Sequence, residues 1–293
     1  MFDRRIYAGL IALITIVTAC SKDDDTAPQP APAPPPSTGI TAPPASFTKK
    51  VLLEYHTAAW CGSCPDAEVK RQQVAAAYPG KIIPVAYHQS DAMQIPLFMT
   101  IDATFGSNPS YGMINRVPSL NNVLLNRTQW MSNTSTQVSG TAKCGLAIRS
   151  TVSGTSAAIE VQAAFRENLS GQHTLTVYLV ENDVTGSGAS YDQVNNYNAD
   201  QSSPYYNQGN PITGFKHQVV ARKVLTANLG DPVDASKLVA DGLLKKNFTA
   251  DLTGMVAEKV YVIAFINKTG TSPTTYEILN VQQGKLGTLK NWD

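Results

Sequence analysis

The apolar positions of this chain fall into short clusters whose period changes along its length. Val51–His56 (VLLEYH) is a continuous apolar run with the length of a buried strand, and Ile82–Tyr87 is a second. Between them, Pro65–Ala77 has helix-forming composition, with Pro65 and Asp66 suited to a first turn and Pro79-Gly80 as a stop. Asp91–Phe105 reads as helical, and Asn108-Pro109 precedes a strand predicted at Ser110–Asn115. From about Ala142 the period becomes two: Ile159, Val161, Ala163 and Phe165 alternate with other residues, as do Leu175, Val177 and Leu179. Further strands are predicted at Leu146–Val152, Phe215–Val224, Asn247–Leu252, Val260–Asn267 and Ile278–Gln283. Short strands separated by Gly, Ser, Asn and Thr turns predict an all-β antiparallel sandwich over residues 142–293.

The segment preceding these elements has a different character. Arg4 and Arg5 lead into an apolar run, Ile6–Thr18, that is too short to span a bilayer comfortably, the pattern of a cleaved signal peptide over residues 1–19. The run closes on Val17-Thr18-Ala19-Cys20, which resembles a bacterial lipobox, so that Cys20 is the expected acylation site and first mature residue. An ordinary signal peptide or short membrane anchor ending in an incidental cysteine is the alternative. Several acyl chains on Cys20 hold a protein to a membrane without spanning it. By the same resemblance, Ser21 favours the outer membrane, and Lys22-Asp23-Asp24-Asp25 looks like the acidic signal that sends Bacteroidetes lipoproteins to the cell surface. A merely solvated charge run is the other reading of that stretch. Residues 20–47 form the expected tether, whose later part is rich in Pro, Ala, Thr and Ser and cannot bury enough apolar surface to fold. As polyproline II, at about 3.1 Å per residue, it reaches roughly 60 Å.

With 23 Lys and Arg against 22 Asp and Glu, and no long basic run in the folded part, electrostatic binding of nucleic acid is set aside. No cofactor is implied. The chemistry rests on the cysteines. Cys61 and Cys64 are separated by two residues, so a helix starting between them puts Cys61 at its N-terminus, where unpaired amides and the macrodipole favour a thiolate. Cys64 is then placed to resolve a mixed disulfide, and Cys61 is expected to be the more exposed of the two. A permanent structural disulfide and a zinc site remain as alternatives, the latter needing two soft ligands that no second CxxC or close His pair supplies. Cys144 has no obvious partner and reads as a buried inert thiol. His56, His88, His173 and His217 are scattered; His56, five residues before Cys61, either sits near the dithiol or is structural.

Trp60-Cys61-Gly62-Ser63-Cys64-Pro65 after an apolar strand resembles the active-site segment of thioredoxin-like proteins. The resemblance implies an α/β thioredoxin-like domain over residues 48–138, ahead of the β-sandwich. It implies Cys61 as nucleophile, Cys64 as resolving thiol, Trp60 as a cover beside them, and a cis-proline against the dithiol. Pro109 is the candidate for that proline and Pro118 the runner-up, with a trans turn proline the plain alternative for either. One departure matters: the buried Asp that thioredoxins commonly carry six residues before the first cysteine is Tyr55 here, and alternation points the adjacent Glu54 to the opposite strand face.

A long Asn-, Ser-, Gly- and Tyr-rich insertion, residues 186–214, carries Tyr191, Tyr197, Tyr205 and Tyr206 and is a candidate partner or glycan surface. The layout as a whole, with Met113-Ile114-Asn115-Arg116 and the closing Leu279-Asn280-Val281-Gln282, resembles the Bacteroidetes family named after a 28-kilodalton outer-membrane protein. Two functions follow as expectations. One is thiol-disulfide exchange with an exported protein client or redox partner. The other is a non-enzymatic surface or assembly module braced by a structural disulfide.

Overall fold

Nine strands lie in one sheet that draws on both the dithiol half and the β-rich half of the sequence. The computed structural model describes residues 39–293, so the signal peptide, Cys20, the acidic run and most of the tether lie outside the described residues. In chain order the elements are β1 (Val51–Thr57), α1 (Cys64–Ala77), β2 (Ile82–His88), α2 (Leu97–Phe105), β3 (Tyr111–Ile114), β4 (Leu125–Asn126) and α3 (Trp130–Val138). There follow β5 (Cys144–Ser153), β6 (Ser156–Phe165), β7 (His173–Glu181), β8 (Val220–Val224), β9 (Asp231–Pro232), β10 (Leu243–Asp251), β11 (Val260–Lys268), β12 (Ile278–Lys285) and β13 (Leu289–Lys290).

The large sheet runs β12-β11-β7-β8-β2-β1-β3-β4, with β9 paired to β7, and the small one runs β10-β6-β5-β13. β1 and β2 are parallel, β3 is antiparallel to β1, and β4 is antiparallel to β3. Apolar residues of α1, Ala67 and Val74, pack with Trp130 of α3 beside Val51, Leu53 and Tyr55, whereas Leu97, Phe98, Ile101 and Phe105 of α2 pack with Leu52, Ile83, Val85 and Tyr87. Strand alternation therefore gives β1 two buried faces with different helices on each. The small sheet covers β7, β11 and β12 through Ile148, Ile159, Val161 and Phe165 against Val177, Leu179, Val262 and Ala264, a two-sheet packing of the expected kind.

The expected boundary near residues 138–142 is not a break between sheets. Ala86 of β2 pairs in parallel with Val220 of β8, and the apolar layer under α2 continues into Tyr178, Val180, Ile263 and Phe265 of β7 and β11. Three polar side chains close the seam. Asn280 accepts from the Lys50 amide (2.9 Å) and donates to the Thr48 and Cys144 carbonyls (3.1 and 2.8 Å), and Gln282 bonds Lys50 Nζ (2.6 Å). Asn115 Oδ1 accepts from the Leu52 amide (2.9 Å), while its carbonyl accepts from Ile278 (2.9 Å).

Some elements differ from expectation. The helix predicted from Asp91 begins only at Leu97, because the Asp91 carboxylate is engaged in a turn with the Ala59 and Met93 amides (2.8 and 2.9 Å). The strand predicted from Phe215 begins at Val220. Among the described residues no helix is long and apolar enough to cross a membrane.

Candidate functional site

The last turn out of β1 carries Ala58 and Ala59, both fully buried, to Trp60 and the cysteines, and α1 starts at Cys64 with Pro65 in its first turn. Proline fits there because its missing N–H would have no helical partner. The Cys64 amide donates to the Cys61 carbonyl (3.1 Å), closing a turn that brings the two Cα atoms to 5.4 Å, and the sulfurs are bonded. Cys61 thus stands at the N-terminus of α1, as its spacing predicts.

Two expectations about this site are corrected. The Asn108–Pro109 and Val117–Pro118 bonds are not cis; among the described residues the cis bond is Asn210–Pro211. Pro109 instead occupies the second position of a turn in which Tyr111 N donates to Asn108 O (3.0 Å) and Ser110 has φ +70°, the features of a type II turn, for which a trans proline is preset. Ser110 is the buried residue at this position. Trp60 is 46% exposed, its indole N–H donating to the Gln89 carbonyl (2.8 Å). Cys61 is not the exposed member of the pair, since Cys61 and Cys64 are 5% and 4% exposed.

What covers them is the Tyr-rich insertion, which folds back over the cysteine loop. Val194 N donates to Ala59 O (2.7 Å) and Asn196 N to Gly62 O (3.0 Å). The buried amide nitrogen of Gln193 lies 3.2, 3.1 and 2.9 Å from the carbonyl oxygens of Ala58, Ala59 and Cys61. A Cβ at Gly62 would fall 2.2 Å from Asn196 Oδ1, so any larger residue there would have to turn the Asn196 side chain aside. Nothing in the periodicity of the sequence places residues 193–197 against residues 58–62.

On one side of the disulfide a polar chain leads away from Cys61. Ser63 Oγ lies 3.5 Å from Cys61 Sγ and 3.2 Å from Ser110 Oγ, which accepts from Arg127 Nη1 (3.2 Å). The Arg127 guanidinium also pairs with Asp66 (2.5 Å) and donates to Tyr197 Oη (3.1 Å), so it ties α1, the β3 turn and the insertion together.

On the other side, a cavity of about 20 Å³, room for roughly one water, is lined by Cys64, Tyr55, Glu68, His88, Gln193 and His217 among others. Tyr55 donates to Glu68 (3.2 Å), which Arg71 and Gln72 also hold. The strand position that was expected to lack a carboxylate is thereby linked to one supplied by α1, one helical turn beyond Cys64. Burial, then Glu68, pushes the Tyr55 hydroxyl well above its ordinary value. His88 Nδ1 lies 2.7 Å from Asp91, whose carboxyl, against the effect of burial, is held below its ordinary value by His88 and the amides of Ala59 and Met93. His217 meets the His88 ring edge-on at 5.0 Å and bonds Tyr191 O (2.8 Å); burial, and then His88, lowers it to about 4.

His56 is on the far face of β1, between Tyr87 and Phe98, with both ring nitrogens unpaired among the described residues; burial lowers it to about 4. Glu54 faces that side too, as alternation requires. It forms a fully buried pair with Arg116 (2.6 and 2.7 Å) and accepts from Tyr87 (2.6 Å). His173 lies in β7, bonded to the Gly171 carbonyl (3.2 Å). Among the described residues no three His, Cys, Asp or Glu side chains converge to hold a metal ion.

No curated protein sequence matches this chain. Among solved structures, HBP35 of Porphyromonas gingivalis is similar, with a TM-score of 0.67 at 20% identity, covering 82% of this chain and 76% of that one. A protein from Agrobacterium tumefaciens aligns at a TM-score of 0.47 and 12% identity, covering 82% of this chain and 96% of that one. The family model described as outer membrane protein Omp28 matches residues 99–290, well over half of the sequence, and the chain therefore belongs to the Omp28 family of outer membrane proteins.

Proposed function

We propose that this chain is an outer-membrane lipoprotein, anchored through Cys20, that exchanges disulfides with exported proteins through a thioredoxin-like unit over residues 48–138. The observation that carries the reading is the Cys61–Cys64 disulfide at the junction between a central parallel strand and the first turn of α1. The order of elements supports it. β1-α1-β2, then α2, then the β3-β4 hairpin and α3, with sheet order β2-β1-β3-β4, is the arrangement expected of that fold. The family match begins at residue 99, after the cysteines, so it supports the outer membrane and leaves the chemistry to the site.

In the oxidised form the protein is the electron acceptor. A client thiolate attacks Cys61 Sγ, the Cys61–Cys64 bond breaks, and Cys64 leaves with the electron pair and takes up a proton. A second client thiolate attacks the client sulfur of the mixed disulfide and releases Cys61, so that two electrons pass to the protein and the client gains a disulfide. Each step is reversible. In Cys64→Ala the lone Cys61 thiolate attacks a client disulfide, and the second client sulfur leaves with the electron pair and takes up a proton. With no Cys64 thiol to resolve it, the mixed disulfide accumulates on non-reducing gels of cell extracts, whereas Cys61→Ala accumulates far fewer; equally empty lanes in both refute the reading. The lipobox and Lys22–Asp25 support a lipid-held, surface-facing position, which Cys20→Ala tests through loss of acylation and release from membranes.

The burial of both cysteines supports a second reading, in which the disulfide braces a non-enzymatic scaffold. The same gels separate the two.

A further inference from the structure

We propose that residues 193–197 occupy the place of an extended, cysteine-bearing client segment, so that exchange at Cys61 begins only once this stretch of the insertion leaves the disulfide. The proposal rests on the exchange reading above and names the form of its substrate and the control of its access.

The cover is made by main chain as much as by side chain. Val194 and Asn196 both donate their amides toward the cysteine loop, to the carbonyls of Ala59 and Gly62. Asn196 and Tyr197 themselves stand in a turn, but the two donors are alternate residues, the spacing at which an extended segment presents amides on one side. A client lying there in extended form can therefore offer donors to the same two carbonyls. Gln193 then fills in with its amide against three buried carbonyls. The Ala58 and Cys61 carbonyls keep the amides of Cys61 and Cys64 as donors, but those of Ala59 and Gly62 lose theirs when the cover leaves. A displacing segment is therefore favoured if it brings donors of its own, which a peptide main chain does.

The cover is also built to move as a piece. Asn195, fully buried, bonds the Tyr205 and Gly209 carbonyls (3.0 Å each), and its Oδ1 accepts from Tyr197 N (3.0 Å). Gln193 and Ile212 exchange main-chain bonds at the base (3.1 and 2.8 Å). These contacts lie within the insertion and survive its displacement. The contacts that displacement breaks include the two main-chain bonds, the Gln193 amide and the hydroxyl of Tyr197 on Arg127, together with the Tyr191 carbonyl on His217 and the Tyr191 ring packed beside Ala59 and Met93. With the cover in place both cysteines are buried while Trp60 beside them stands in solvent, so a client approaching this end of the sheet meets Trp60 first and the disulfide second.

The test is the rate of reduction of the disulfide in the full-length protein, with dithiothreitol and with glutathione, a small cysteine-bearing peptide, as probes. Gln193→Ala is expected to raise both rates at least tenfold and Tyr197→Phe a few-fold. Val177→Ala, in the core between the sheets, serves as the stability control. If it accelerates reduction as much as Gln193→Ala at a matched loss of stability, access occurs by global opening and the proposal is overturned. Unchanged rates in both insertion variants overturn it too. Trapping separates it from the exchange reading. Gln193→Ala combined with Cys64→Ala is expected to accumulate more mixed disulfide than Cys64→Ala alone. Equal trapping in the two overturns the cover alone, while no trapping in either overturns the exchange reading and with it the client form proposed here.

Discussion

The two halves of the large sheet are held by different means. Around β1 the apolar interior also holds charge: each face of this one strand buries a carboxylate, Glu54 against Arg116 and Tyr87 on one side, and Glu68 against Tyr55 and Arg71 on the other. Between the two sheets of the β-rich half, the apolar cluster is Leu, Ile, Val, Ala and Phe with one cysteine, Cys144, and the buried Asn280 and Gln282, which bond β5 carbonyls, are uncharged. Apolar burial is non-directional and tolerant, whereas a buried ion pair holds only with every partner in place. The half that carries the disulfide is therefore the more specified and the more easily broken.

Loss of Arg116 is the severest way to break the contrast. Arg116→Ala strands Glu54 without its partner in a fully buried site, and removal of one member of such a pair costs about 3–5 kcal/mol. Glu54→Gln/Arg116→Met, which removes both charges, is expected to recover most of that loss. Urea unfolding of the three proteins checks it. A double variant no more stable than Arg116→Ala would mean that shape, not charge, sets this site.

Acid should act on the same half. His56 and His217 are both held near 4, well below the ordinary value of 6.5, by burial of the ring. The native state thus keeps them neutral where the unfolded chain binds protons. Stability from each is complete above about pH 6.5 and is lost as the pH falls toward 4, by on the order of 3 kcal/mol per ring as an upper bound. Hydrogen exchange at pH 4.5 is expected to open β1, β2 and the insertion before β5 and β6. Simultaneous opening would show that the seam couples the halves fully.

The seam itself is testable at Asn280, which joins Thr48 and Lys50 to Cys144. Asn280→Ala leaves a buried donor and acceptor unpaired, at a cost of about 1–3 kcal/mol. The expected signature is a broadened, less cooperative unfolding transition, and a uniform shift of a single sharp transition would count against it.

Most strands are legible in the sequence because a buried run and a half-buried alternation are local patterns. VLLEYH and the alternating Ile159, Val161, Ala163 and Phe165 lie within strands of nearly the expected length. Helix α3 was hidden because Trp130–Val138 (WMSNTSTQV) is rich in Ser, Thr and Asn and is a weak helix former; the fully buried Trp130 docks it. The cysteine pair was legible because its chemistry needs only a spacing of two residues. Its surroundings were not. His88 and His217, or Gln193 and Cys61, are brought together by sheet order and by the fold of an insertion, and neither leaves a periodic trace. Met113–Arg116 and Leu279–Gln282, read as family features, contain the Asn115, Arg116, Asn280 and Gln282 contacts that tie the molecule together.

The smallest effect is expected at the third cysteine of the folded part, and it sharpens the contrast because the residue type is the same in both halves. Cys144 is fully buried between the sheets, and burial pushes its thiol up to about 12 despite the nearby Lys49 ammonium. Some four units above pH 8, only about one molecule in ten thousand carries the thiolate that alkylation requires, and the side chain is sealed from the reagent as well. Iodoacetamide at pH 8 should leave the native, oxidised protein unlabelled. After brief reduction it should label Cys61 and Cys64, and it should reach Cys144 only in denaturant, as peptide mass analysis can read directly. Labelling of Cys144 in the folded protein at a rate near that of reduced Cys64 would show that the inter-sheet core opens as readily as the covered disulfide, and the distinction between a specified half and a tolerant, closed half would fall.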